Sequence, residues 1–109
     1  MCGILGISGG DTNLIIKANP FLQHRGPDDH GVFIDIPSKI GLGHTRLSIL
    51  DISSNGHQPM LSKDGKVVLV FNGEIYNFRE LRDNLEKNHC KFDSGSDSEV
   101  LLNLYLQEG

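Results

Sequence analysis

The sequence predicts a layered α+β protein, and three observations carry that prediction. Short apolar runs bounded by turn residues occupy residues 3–8, 31–36, 40–50 and 67–71, as strands do. Two helix-start signatures follow, Asn77 with Glu80 and Ser96 with Glu99, each ahead of an apolar stripe. Strands come first and helices after them, which is the order of an α+β fold and not of alternating β-α units.

Taken in order, residues 3–8 read as a buried strand that starts almost at the terminus. Termini are usually loose and polar, so an apolar start implies that the beginning of the chain is held inside something. Asn19 before Pro20 suits an N-cap and first-turn proline and predicts a short helix near Phe21 and Leu22. His24-Arg25-Gly26-Pro27-Asp28-Asp29 is a turn cluster. Residues 31–36 and 40–50 are expected to pair as strands joined through Pro37, Ser38 and Lys39. In the second strand Ile40 and Leu42 are apolar at even positions, Leu47 and Ile49 at odd ones. The phase therefore slips near residues 44–46, as a bulge or bend requires, and Arg46 sits at the slip.

Asp64-Gly65 predicts a two-residue hairpin turn. It leads into Val67, Val68, Leu69, Val70 and Phe71, an unbroken apolar run that reads as an inner strand covered on both faces. Phe78, Leu81 and Leu85 stripe one following helix. Val100, Leu101, Leu104 and Tyr105 stripe the next, and Gly109 is placed to stop it.

The chain has 109 residues, the size of one domain or part of one. Its 10 basic and 14 acidic residues give a net charge of −4, which argues against nucleic acid or an anionic membrane surface as the main partner. No apolar stretch approaches the roughly 18 residues of a membrane span, the apolar start Ile4 to Ile7 is too short for a signal peptide and no basic residue precedes Lys17, so a cytoplasmic location is expected. Cys2 and Cys90 are then expected as free thiols. The 13 glycines follow no collagen period and suit tight turns and close backbone approaches.

Few residues point to chemistry. Removal of Met1 would leave Cys2 with its thiol and a free α-amine on one residue. That amine titrates near pH 7.7 to 8.0 and can serve as a base for the thiol. The plainer reading of Cys2 is a small buried residue beside the initiator methionine. Asn72-Gly73 is ordinarily a hairpin turn, but here Glu74-Ile75-Tyr76-Asn77 leads to a helix cap and not to a partner strand. A side-chain amide and a glycine N–H at the end of a buried strand also suit an oxyanion hole. Arg46 reads either as a surface strand arginine or as a carboxylate fork. Asp97 reads as an acid favoured by the first turn of a helix. The five histidines show no metal-ligand spacing, so no metal site is expected. Gly41-Leu42-Gly43 lies in a strand and lacks the helix of a phosphate loop.

Combined, the segments are more specific than any one of them. Met1-Cys2-Gly3-Ile4, His24-Arg25-Gly26-Pro27-Asp28, Arg46-Leu47-Ser48-Ile49, Gln58-Pro59, Asn72-Gly73-Glu74-Ile75-Tyr76-Asn77 and Gly95-Ser96-Asp97 occur in that order. From residue 1 to 109 the sequence resembles the class II glutamine amidotransferases, specifically the N-terminal glutaminase domain of glutamine-hydrolysing asparagine synthetases. It departs from the pattern in the connection from Ser8 to His24, which looks shorter than is typical and puts the helix there in question.

The resemblance implies an N-terminal nucleophile hydrolase fold, a four-layer αββα sandwich of two antiparallel sheets, of which residues 1–109 are the first part. It implies that the rest of that domain and a synthetase domain lie outside these residues. Residue by residue, it makes Cys2 the nucleophile and its α-amine the base, with the Asn72 amide and Gly73 N–H as oxyanion hole. Arg46 would take the α-carboxylate of L-glutamine, Asp97 its α-ammonium, and Leu47, Ser48, Ile49, Leu50 and Glu74 would help to seat it. Ammonia would pass to aspartate activated with ATP and Mg2+ in the synthetase domain, with no cofactor held by residues 1–109. Alone, these residues are expected to be inactive, with an unpaired sheet edge that invites a homodimer. Two other readings stand beside this one: a paralogue that amidates another acceptor, such as a sugar, and a non-catalytic glutamine-binding module. Phe71 and Glu74 flanking Asn72-Gly73 favour the asparagine synthetase type.

Overall fold

The computed structural model describes residues 2–48 and 54–109. Three strands form an antiparallel sheet: β1 (Gly3–Ser8), β2 (Asp29–Asp35) and β3 (Ile40–Arg46), in the order β1-β3-β2. A second, two-stranded sheet pairs β4 (Met60–Leu61) with β5 (Val68–Leu69). Three helices complete the elements: α1 (Leu14–Ala18), α2 (Phe78–Lys87) and α3 (Asp97–Glu108), with 3-10 turns at Asn19–Leu22 and Ser54–Gly56. The α+β class and the two antiparallel sheets are as the sequence predicts.

Strand β3 organises the molecule because its two faces meet different neighbours. On the odd-numbered face, a Cβ on Gly41 would sit 3.3 Å from Ile15, and one on Gly43 would sit 2.5 Å from Asn19 Oδ1. The two glycines therefore let α1 and the following 3-10 turn lie directly on the sheet. Asn19 Nδ2 donates to the carbonyls of Gly31 and His44, and Thr45 Oγ1 donates to that of Leu22, so the turn is hydrogen-bonded to the sheet as well. On the even-numbered face, His44 and Arg46 point to the opposite side, toward the candidate site.

Several expectations change. A helix does occupy the connection from Ser8 to His24: α1 precedes a 3-10 turn with Pro20 in its first positions and Ala18, not Asn19, as its cap. No bulge interrupts residues 44–46. Pairing runs unbroken from Asp35↔Ile40 to Asp29↔Arg46, and the strand ends at Arg46, with Leu47 and Ser48 beyond it and residues 49–50 outside the described residues. Alternation lapses there because both faces are covered, with His44, Thr45 and Arg46 all buried. The 60–69 hairpin closes through a longer loop than two residues. The Ser62 N–H donates to the Val67 carbonyl, and Gly65 adopts a left-handed φ of 72° inside the loop. Residues 67–71 are half-buried and not covered on both faces, and among the described residues β5 pairs with β4 alone.

The helix starts also differ from each other. Asn77 caps α2 without a side-chain hydrogen bond. Ser96 caps α3 through Oγ, which accepts from the Glu99 N–H at 3.3 Å. Glu99 does not reach back to Ser96, as a capping box would. It accepts instead from the N–H groups of Asp93 and Ser94 and from Ser94 Oγ, at 2.8, 2.7 and 2.6 Å. Arg82 of α2 donates to the Ser94 carbonyl at 2.6 Å and lies over the Phe92 ring, tying α2 to the same loop. The start of α3 is thus fixed by polar contacts on every side, and residues 97–100 are all buried. Further along, Leu102 is buried while Tyr105 is exposed, so the predicted apolar stripe is displaced around the helix.

Candidate active site

The residue before β1, the end of β3 and the start of α3 converge on one cavity of about 510 Å3. Its walls include Cys2, Arg46, Leu47, Asn72, Gly73, Glu74 and Asp97, together with Gly56, Gln58, Phe71 and residues around them. Of the residues singled out in the sequence, Ser48 does not line it; its N–H donates to Asp28 Oδ2 at 2.8 Å beside it. Ile49 and Leu50 lie outside the described residues.

Cys2 is half-buried, is not in a disulfide, and is held from two directions. Its carbonyl accepts from Arg25 Nε at 3.2 Å, and its sulfur accepts from the Leu47 N–H at 3.3 Å. Gly3 beside it has no room for a side chain, since a Cβ would fall 2.6 Å from Thr45 Oγ1. This close approach brings residue 2 against the end of β3.

Arg46 is 7% exposed, and its guanidinium packs against Gly56, where a Cβ would lie 2.1 Å from Nη2. Asp97, also 7% exposed, is the first residue of α3, where the positive end of the helix favours a carboxylate. Its Oδ2 accepts from the Ile75 N–H at 3.0 Å, so the same side chain anchors the segment that follows Asn72 and Gly73. A buried cation and a buried anion thus line the same pocket as Cys2. Glu74 is exposed and sits at the rim.

His44 and Gln58 had no assigned role in the sequence reading. His44 is fully buried, and burial lowers its pKa below 6.5, against the opposing pull of its bond to Phe71. Burial thus favours the neutral ring, and Nε2 donates to the Phe71 carbonyl at 3.2 Å. Gln58 is 5% exposed and accepts from the Phe71 N–H at 2.7 Å. The Gln58-Pro59 motif was visible, but its partner is a backbone group that no side-chain pattern announces. Among the described residues, no group of three or more His, Cys, Asp or Glu is arranged to hold a metal ion. No described helix is long and apolar enough to cross a membrane.

A sequence profile of the glutamine amidotransferase domain matches residues 1–109. The chain belongs to this family, which is the family its motifs resemble. It is 42% identical over 113 residues to asparagine synthetase (glutamine-hydrolyzing) 1 of Bacillus subtilis, covering 96% of this chain and 17% of that protein. Asparagine synthetase (glutamine-hydrolyzing) 2 of the same organism is 44% identical over 117 residues, covering 100% and 15%. Asparagine synthetase (glutamine-hydrolyzing) 2 of rice, Oryza sativa subsp. japonica, is 45% identical over 115 residues, covering 100% and 19%. The chain spans between 15% and 24% of the length of the first curated relatives it matches.

Proposed function

We propose that this chain is the first part of a glutaminase domain that hydrolyses L-glutamine through a Cys2 thioester and supplies ammonia for the amidation of aspartate. The observation that carries the reading is the convergence of Cys2, Arg46, Asn72, Gly73 and Asp97 on one cavity. The names of its relatives support both the glutamine chemistry and the aspartate acceptor.

In this reading Met1 is removed and the α-amine of Cys2 takes the thiol proton as sulfur attacks the glutamine side-chain carbon. The Asn72 amide and the Gly73 N–H stabilise the oxyanion of the tetrahedral intermediate. The ammonium form of the amine then returns its proton to the leaving nitrogen, and ammonia departs. Water attacks the thioester with the amine again as base, glutamate is released, and the thiol is restored. Arg46 holds the α-carboxylate with its planar fork, and Asp97 faces the α-ammonium. Leu47 and Glu74, which also line the cavity, complete the seat. ATP and Mg2+ serve a synthetase domain of the same polypeptide, where ammonia meets activated aspartate. The nucleophile-hydrolase sandwich is the fold the family resemblance implies, and the two antiparallel sheets and three helices of the described residues are compatible with its first part.

The test uses the full-length polypeptide. Cys2→Ala should abolish synthesis from glutamine and leave synthesis from free ammonia intact, because the second reaction uses ammonia directly. Retained glutamine-dependent synthesis would exclude Cys2 as nucleophile. Amidation of a sugar in place of aspartate would identify the paralogue reading.

A further inference from the structure

Phe71 immediately precedes Asn72, and it has left the β4–β5 ladder, which ends at Leu69. A backbone group that leaves a ladder must find another partner or face water. Both groups of Phe71 find side chains. Its N–H donates to Gln58 Oε1 at 2.7 Å, and its carbonyl accepts from His44 Nε2 at 3.2 Å. Gln58 does more than close one bond. Its Nε2 donates to Ser98 Oγ at 3.0 Å in a buried contact, and Ser98 follows Asp97 in the first turn of α3.

One primary amide therefore joins the peptide ahead of Asn72-Gly73 to the helix turn that carries Asp97. A second link runs from Asp97 Oδ2 to the Ile75 N–H on the other side of the same segment. Residues 72–74 are thus suspended between two attachments to α3. Only a side chain with an acceptor and a donor at one end, and of glutamine's length, makes both of these bonds.

We infer that Gln58 is a positioning residue for glutamine hydrolysis: by bridging the Phe71 N–H and the Ser98 hydroxyl, it sets the oxyanion-hole pair Asn72-Gly73 relative to Asp97. The inference rests on the glutaminase reading above. Gln58 lines the cavity, but its amide oxygen and nitrogen are engaged by Phe71 and Ser98, so it acts by position. Its effect falls on the transition state, because a substrate held by Arg46 and Asp97 still binds when the oxyanion donors are misaligned.

The experiment compares the full-length parent with Gln58→Met, Ser98→Ala and the double variant. It reads kcat and KM for glutamate formation, together with the alkylation rate of Cys2 by iodoacetamide, which forms no oxyanion. Gln58→Met should lower kcat by about 100-fold with KM changed by less than about tenfold, the cost of a donor misplaced by about 1 Å. Alkylation of Cys2 should stay within about twofold of the parent, since that step does not use the hole. Ser98→Ala, a small change that keeps the fold if Gln58→Met does not, should lower kcat by about tenfold. The double variant should be no worse than Gln58→Met alone, as residues acting through one contact are not additive.

Full kcat in Gln58→Met, equal loss of alkylation and hydrolysis, or additive losses in the double variant would each overturn the inference. A parent that forms no glutamate at all would instead sink the glutaminase reading on which it rests, a result distinct from an active parent with an insensitive variant.

Discussion

The Cys2 sulfur lies 3.3 Å from the backbone nitrogen of Leu47, the residue that directly follows Arg46. The proposed nucleophile and the proposed carboxylate fork are therefore coupled through a single peptide. Pairing of β1 with β3, from Gly3↔Thr45 onward, makes that contact a consequence of sheet register. The placement of the Cys2 sulfur relative to the end of β3, and so to Arg46, is then set by the sheet and not by a loop.

Gly56 should matter to substrate affinity although it has no side chain. A Cβ there would occupy the place of Arg46 Nη2. Gly56→Ala should displace the guanidinium and raise the KM for glutamine by about 10- to 100-fold, the usual cost of misplacing a binding group by about 1 Å. Synthesis from ammonia in the full-length protein should be unaffected. Steady-state kinetics with both nitrogen sources decides it, and an unchanged KM would show that Arg46 does not bind the carboxylate.

Asp97→Asn isolates charge from structure. The asparagine carbonyl can still accept from the Ile75 N–H, so the loop anchor survives while the negative charge is lost. Loss of one member of a desolvated charge pair costs about 2 to 5 kcal/mol, so the glutamine requirement should rise at least about tenfold. Des-amino glutamine should lose its disadvantage against this variant. If the variant discriminates between the two substrates as the parent does, Asp97 is a helix-start acid and nothing more.

The pH dependence of stability should carry the mark of His44. Burial lowers its pKa in the folded protein below 6.5. Between the folded value and about 6.5, the unfolded chain binds a proton that the folded one does not, so stability rises with pH in that window. The contribution is whole above the unfolded value and is lost as pH falls toward the folded one. His44→Gln, which retains a donor for the Phe71 carbonyl, should flatten the fall in thermal midpoint between about pH 7 and pH 5. An unchanged slope would assign the acid sensitivity to other groups.

What the sequence disclosed follows from whether each signal is local. The Ser96 cap, the paired strands around Pro37, Ser38 and Lys39, and the refusal of Asn72-Gly73 to form a hairpin are local, and they are legible. The candidate site was legible in its chemistry-bearing side chains, because Cys2, Arg46, Asn72 and Asp97 belong to motifs. Its supports were not. Gln58 and His44 act on backbone atoms 13 and 27 positions away, and backbone partners leave no trace in residue pattern. Helix α1 has five residues, too few for an apolar period, and is stabilised by Gly41 and Gly43 on a strand far along the chain. The unbroken apolar run 67–71 pointed to an inner strand, but apolar character reports what a strand could bury and not which neighbours cover it.

The central claim is a glutamyl thioester on Cys2, and mass spectrometry tests it most directly. Full-length protein mixed with glutamine and quenched in acid during turnover should show a glutamyl adduct on a peptide that begins at Cys2, with Met1 absent. Full hydrolysis from protein that keeps Met1, or an adduct on Cys90 with Cys2 unmodified, would contradict the account.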